Sequence, residues 1–142
     1  MMEIQVFNNS FLCFEKGEKS WALIVDPCNE WGNIKVFLQA HQIELKYILL
    51  SQASFKNALR VATIQHETGA HFLSFKSDLL PLRKLPRLAD EVNVCGIKTP
   101  RIDRFLDDLE QIDIFGKTLK IKDFGGVRHY QIEKFVMPPI HE

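Results

Sequence analysis

Residues 46–70 read KYILLSQASFKNALRVATIQHETGA: an apolar run, a polar turn and then a helical pattern. Tyr47, Ile48, Leu49 and Leu50 predict a buried strand, and Ala58, Leu59, Ala62 and Gln65 recur at spacings of three and four, which places them on one side of a helix over 57–67 that Gly69 ends. The turn 51–57 therefore falls at the carboxyl end of a strand. Open α/β folds bind ligands there, because the strand ends and the free N–H groups of the next helix leave a crevice. Gln52, Ser54, Lys56 and Asn57 stand in that turn. None is a thiolate, an imidazole or a carboxylate, so the turn has the place of an active site without the donors of a metal site. These four are the candidate ligand-binding residues, with Lys56 and the helix N-terminus giving positive potential for a small polar or anionic ligand. The plainer alternative is a polar loop that binds nothing.

The 142 residues, 46 % hydrophobic and 25 % charged, suit a single domain over 1–142 with one core. Lysine plus arginine equal aspartate plus glutamate at 18 each, so no overall field draws the chain to nucleic acid or anionic lipid, and neither is expected as a partner. Arg83, Lys84, Arg87, Lys98, Arg101 and Arg104 are locally basic. They come without interleaved aromatics or a nucleic-acid motif, and read as a solvated face. The opening MMEIQVFNNSFLCF lacks a basic region followed by a long apolar run, and no apolar segment reaches transmembrane length, so a cytoplasmic location away from membranes is the expectation. Cys13, Cys28 and Cys95 are odd in number and far apart, which argues for free thiols over a disulfide framework or a CxxC motif.

Residues 3–7, 11–14 and 21–25 are short aromatic and β-branched runs separated by polar turns, predicting an antiparallel meander or hairpin. Asp26-Pro27 ends the third run, leaving Asp26 either to cap a turn or to face a cleft. Asn33 is the expected N-cap of a helix to about Ala40, with Ile34, Phe37, Leu38 and His41 on one face. Strand, helix, strand, helix, strand over 21–75 is the order of crossover units on a sheet. Pro81 and Pro86 limit what 79–100 can form. Further on, 112–115 and 118–121 alternate on either side of Gly116-Lys117 and read as a hairpin; 123–128, DFGGVR, reads as a bend, and 129–136 as a last strand.

ALIVDPC at 22–28, ILLSQASFKN at 48–57 and RFLDDLEQIDIFGKTLKIKDFGG at 104–126, in this order and spacing, resemble the amino-terminal half of a metallo-β-lactamase-fold domain. In texture they are nearest the small glyoxalase II-like hydrolases. In that resemblance Cys28 takes the place of the glycine in Asp-Pro-Gly, and 48–57 takes the place of Leu-Thr-His-x-His-x-Asp-His. It puts Gln52, Ser54 and Val127 where the family has the three histidines of its first metal position, and Lys56 and Asn57 where it has an aspartate and a histidine of the second. Lysine for aspartate shifts the local charge by about two units and opposes a dication. Gly126 is kept, and Ser51 stands for threonine.

The resemblance thus implies an α/β (α+β) fold, a truncated half sandwich with a mixed β-sheet covered by helices. It also implies no metal, no cofactor and no catalysis, leaving a binding, regulatory or scaffolding module. The chain ends before the family's last metal ligands, and a lone half leaves one sheet face bare, at about 25 cal/mol per Å² of apolar exposure. A homodimer whose second copy covers that face is the expected partner arrangement. The competing account is a single sheet covered by its own helices and by 79–88. The catalytic alternative is a hydrolase of small molecules with different chemistry. In it His129, after Gly125-Gly126, approaches Asp26 or Asp123 as a general base, or Cys28 acts as nucleophile, although nothing in the sequence depresses its pKa.

Overall fold

The computed structural model describes residues 1–140. Its first three strands, β1 (Met2–Phe7), β2 (Ser10–Glu15) and β3 (Trp21–Val25), form the antiparallel meander that their composition predicts. From β3 the chain crosses through α1 (Trp31–Ala40) to β4 (Glu44–Leu49), then through α2 (Phe55–Ala58) and α3 (Val61–Thr68) to β5 (His71–Ser74). A 3-10 turn (Lys76–Asp78), α4 (Leu79–Arg83) and α5 (Leu85–Glu91) lead to the short β6 (Arg104–Phe105). These strands make one six-stranded sheet in the order β1-β2-β3-β4-β5-β6, parallel from β3 to β6. The chain then builds a second sheet, antiparallel and four-stranded, from β7 (Gln111–Ile114), β8 (Lys117–Phe124), β9 (Val127–Ile132) and β10 (Phe135–Met137).

Alternation along β3 shows how three layers arise from one strand. Ala22 and Ile24 point into the core shared with Ile34, Leu38, Val61, Ile64, Leu82 and Leu85 of the helices. Trp21, Leu23 and Val25 point the other way, against Ile112, Ile114, Leu119, Tyr130, Ile132 and Met137 of the second sheet. All five residues of β3 are buried, which is why this strand reads as a continuous apolar run. The architecture is helices, mixed sheet, antiparallel sheet.

The sheet face expected to lie bare for a second copy is therefore filled in cis by β7–β10. What the four-stranded sheet leaves outward is largely polar: Gln111, Asp113, Thr118, Lys120 and Lys122 are all exposed. Several local expectations shift as well. The single helix over 57–67 is two, because Leu59 and Arg60 separate α2 from α3; Gly69 closes α3 in the left-handed conformation as expected, at φ 73°. Helix α1 begins at Trp31, two residues before the expected cap, and Asn33 instead donates its side-chain amide to Glu30. The link between β7 and β8 is Phe115-Gly116, one residue earlier than read, with φ 48° and 76°, the pair of positive angles that a two-residue hairpin turn needs. Residues 129–136 are not one strand, since Glu133-Lys134 turns β9 back into β10. Among the described residues no helix is long and apolar enough to cross a membrane.

Candidate functional site: a crevice at the strand ends

The carboxyl ends of β3 and β4 meet the β8–β9 hairpin around an open crevice of about 710 Å³, lined among others by Asp26, Ser51, Lys56, Asn57, Phe124, Val127, His129 and Pro139. Its floor is one carboxylate held by one serine. The Ser51 backbone N–H donates to Asp26 Oδ1 at 2.8 Å and the Ser51 hydroxyl to Asp26 Oδ2 at 2.5 Å, while the Asp26 N–H donates to the Leu49 carbonyl at 3.0 Å. Burial pushes the Asp26 pKa up to about 6 against the downward pull of the two Ser51 donors. Asp26 is thus a structural tie that also faces the cleft.

Why the opposite wall stands there follows from β9. Gly125 and Gly126, at φ 62° and 92°, turn the chain so that Phe124 pairs with Val127. The next residues alternate. Val127 and His129 face the crevice, while Arg128 and Tyr130 are buried. The Arg128 N–H donates to the Ser51 carbonyl at 2.9 Å and the Tyr130 hydroxyl to the Leu50 carbonyl at 2.7 Å, joining the two sheets at the floor of the crevice. The Arg128 guanidinium donates to both oxygens of Asp78 at 3.0 and 2.9 Å and to Ser77 Oγ at 3.1 Å. It also lies over the Phe75 ring at 4.2 Å. The sequence reading gave no site role to Arg128, Asp78 or Tyr130; a charged residue inside an apolar alternation was the available signal for Arg128.

The predicted site residues divide into those that cap the turn and those that face open space. Ser54 is the N-cap of α2, its hydroxyl accepting from the Asn57 N–H at 3.2 Å. Asn57 donates its side-chain amide to the Gln52 carbonyl at 3.3 Å and accepts from the Cys28 thiol at 3.4 Å. Gln52 is exposed and is outside the crevice lining. Lys56 is exposed, makes no ion pair with the described residues, and stands between the crevice and a smaller pocket that Cys28 lines. The four-residue α2 is too short to supply a helix-end field of the kind expected.

His129 and Asp26 share the crevice without bonding each other. His129 Nδ1 lies 2.7 Å from the Pro138 carbonyl; a carbonyl only accepts, so Nδ1 carries the proton and Nε2 of the neutral ring is the basic atom. Asp123 accepts from the Gly126 N–H at 2.8 Å and is likewise not paired with His129. The Cys28 thiol is buried, and its pKa is raised first by that burial and then by the Asp26 charge, the opposite of an activated nucleophile. Cys28 holds φ 49°, the left-handed conformation that glycine adopts without strain, in agreement with its place in the Asp-Pro-Gly resemblance.

A mixed six-stranded sheet with helices on one face, a second antiparallel sheet on the other and a crevice at the carboxyl ends of its strands matches a part of the metallo-β-lactamase fold. Solved structures with this fold include the BLEG-1 B3 metallo-β-lactamase, at a TM-score of 0.71 and 17 % identity over 93 % of this chain and 67 % of that one. A metallo-β-lactamase from Cronobacter sakazakii with a HARLDQ motif follows at 0.65 and 13 %, over 92 % and 59 %. BJP-1, a subclass B3 metallo-β-lactamase of Bradyrhizobium japonicum, gives 0.64 and 18 %, over 90 % and 55 %. The chain thus spans between 55 % and 67 % of these proteins. No protein-family model matches it, and no curated protein matches it in a sequence comparison.

The metal that such a fold implies does not fit these residues. Among the described residues no three His, Cys, Asp or Glu side chains converge on a possible ion. The described lining of the crevice offers one imidazole and one carboxylate whose two oxygens both accept from Ser51, beside the ammonium of Lys56. That donor set falls short of the three or four ligands a zinc site takes.

Proposed function

We propose that this chain is a non-hydrolytic binding module of the metallo-β-lactamase fold, acting without metal and holding a small polar or anionic molecule in the crevice at Lys56. One observation carries the reading: the crevice keeps its floor, in the Asp26–Ser51 tie, and its walls, while the residues around it lack a metal donor set. Without a metal nothing here lowers the pKa of an attacking water. The closer relation to glyoxalase II-like hydrolases is part of the same reading and rests on the quoted motifs. Less supports a hydrolase centred on His129 or Cys28, since Nδ1 of the one is engaged by a backbone carbonyl and the thiol of the other is buried with a raised pKa.

The test is metal analysis of purified protein, assays on a β-lactam and a thioester, and amide-shift mapping with a mixed panel of neutral, cationic and anionic small molecules. The expected result is metal far below one equivalent per chain, no turnover, and at least one compound that shifts the amides around Ser51 and Val127. Stoichiometric metal with turnover, or a panel with no ligand at the crevice, overturns the reading. Homodimerisation stands beside it as a proposal for a different surface from the one first expected: the helix-free outer face of β7–β10, at whose rim Phe124 is 52 % exposed. Sedimentation of micromolar protein reads it, and a monomer removes the dimer without touching the crevice.

A further inference from the structure

The crevice carries its own account of ligand class, resting on the binding reading above. Among the described residues its charged and basic groups are few. Lys56 brings a cation without a protein carboxylate partner among the described residues, and His129 Nε2 is the one basic imidazole atom left by the Nδ1 bond to Pro138. Asp26, on the floor, places a carboxylate of opposite sign close by, with both oxygens already accepting from Ser51. Besides Asn9 and Asn57 the rest of the wall is apolar, with Phe11, Phe124, Val127, Pro139 and Ile140. Phe124 is 52 % exposed while its ring stands edge-on to His129 at 5.3 Å between centroids. An exposed aromatic beside prolines at the mouth of a cleft is surface that gains from being covered by an apolar body.

Charge decides between anions. Lys56 is the one lysine or arginine of the described lining, so the second negative charge of a dianion has no cation to meet and lies beside the Asp26 carboxylate, which Ser51 already holds. A single negative charge placed at Lys56 is matched. The volume, about 710 Å³ and open to solvent, falls in the range of sites for small organic molecules. We propose that the crevice binds amphipathic monocarboxylates, the carboxylate on Lys56 and the aliphatic or aromatic body on the Phe124–Pro139 wall. Phosphates and phosphate esters bring a second charge that no cation of the described lining meets, and short hydrophilic acids lack the body that the wall would cover.

Calorimetric titration of the full chain tests this with octanoate and 3-phenylpropionate, their uncharged amides, acetate and inorganic phosphate, with amide shifts at Val127 and His129 reporting the location. The two amphipathic acids are expected to bind about tenfold more tightly than their amides, the ratio one charge-assisted hydrogen bond supplies. Acetate and phosphate are expected to bind more weakly than either acid. Lys56→Ala should erase the acid-over-amide preference, and Phe124→Ser should weaken acid and amide alike by about tenfold. The exposed Lys134→Ala, on the turn into β10, serves as the control and should change nothing. Equal affinity for acid and amide, phosphate binding more tightly than the acids, or a Lys56→Ala variant that keeps the preference overturns the monocarboxylate assignment. If a neutral or cationic compound occupies the crevice instead, this assignment fails while the binding reading stands. Metal-dependent turnover fails the binding reading itself.

Discussion

Asp26 couples the crevice to protonation. Its pKa of about 6 in the folded chain lies above the ordinary 3.8 because burial outweighs the two bonds from Ser51. The folded state therefore binds the proton more tightly than the unfolded state, and its stabilisation is complete below about pH 4 and lost as pH rises through 6. Two pKa units correspond to roughly 3 kcal/mol. Asp26→Asn keeps an acceptor for the Ser51 N–H and offers its amide to the Ser51 oxygen, with no charge to bury. Urea denaturation should show the variant gaining on the parent by about 2–3 kcal/mol between pH 4 and pH 8, and a pH-independent difference would refute the assignment. Cys28 makes a second case. Its φ of 49° means that Cys28→Gly should cost under about 1 kcal/mol, relief of backbone strain offsetting the lost thiol, whereas Cys28→Val, β-branched at positive φ, should cost over about 2 kcal/mol by the same measurement. Lys56 and Asn57 were legible as turn residues at a strand end, while His129 was read apart from them, beside Asp26 or Asp123; that all three line one crevice is visible only in the fold. The capping role of Ser54 was hidden, since capping and ligand binding draw on the same side chains.

At the scale of elements, the joint between the two sheets depends on β9 and on one buried ion pair. Arg128 and Asp78 are 6 % and 4 % exposed, and Arg128 Nε has no hydrogen-bond partner among the described residues. Removing one member strands the other, so Arg128→Met should destabilise by about 3–5 kcal/mol, and Asp78→Leu on top of it should recover part of that loss. A double variant as unstable as the sum of the singles would show that the pair is not coupled. Tyr130→Phe leaves the Leu50 carbonyl without its 2.7 Å donor and should cost about 1–2 kcal/mol in urea, a smaller loss because no charge is stranded. Periodicity made the meander, the crossover units and the β7–β8 hairpin readable. It could not place the break at Leu59-Arg60 or the Glu133-Lys134 turn, since residues on both sides of each continue the same apolar pattern and the interruption comes from tertiary packing.

For the whole molecule, the packing of the second sheet mattered most, and what it covers was not visible in the sequence. Its strands alternate legibly, with Leu119, Ile121, Tyr130 and Ile132 on one side, but alternation marks that a face is covered without saying by what. That face packs on β3 and β4, whose opposite face packs on the helices. The two cores therefore share strands, and neither can lose its packing without exposing a strand that the other needs. Such sharing predicts one cooperative unfolding transition, with calorimetric and van't Hoff enthalpies equal. Folding free energy that came from a metal would disappear with a chelator, because an ion bound only to the native state contributes in proportion to its affinity. On the metal-free reading proposed above the stability comes from the two apolar cores and the Arg128 and Tyr130 ties, so scanning calorimetry with and without excess EDTA should give superimposable single transitions. Two resolved transitions would separate the β7–β10 layer as an independent unit, and a chelator-dependent fall of more than about 3 °C, on the order of 1 kcal/mol for a chain of this size, would restore a metal to the folded state.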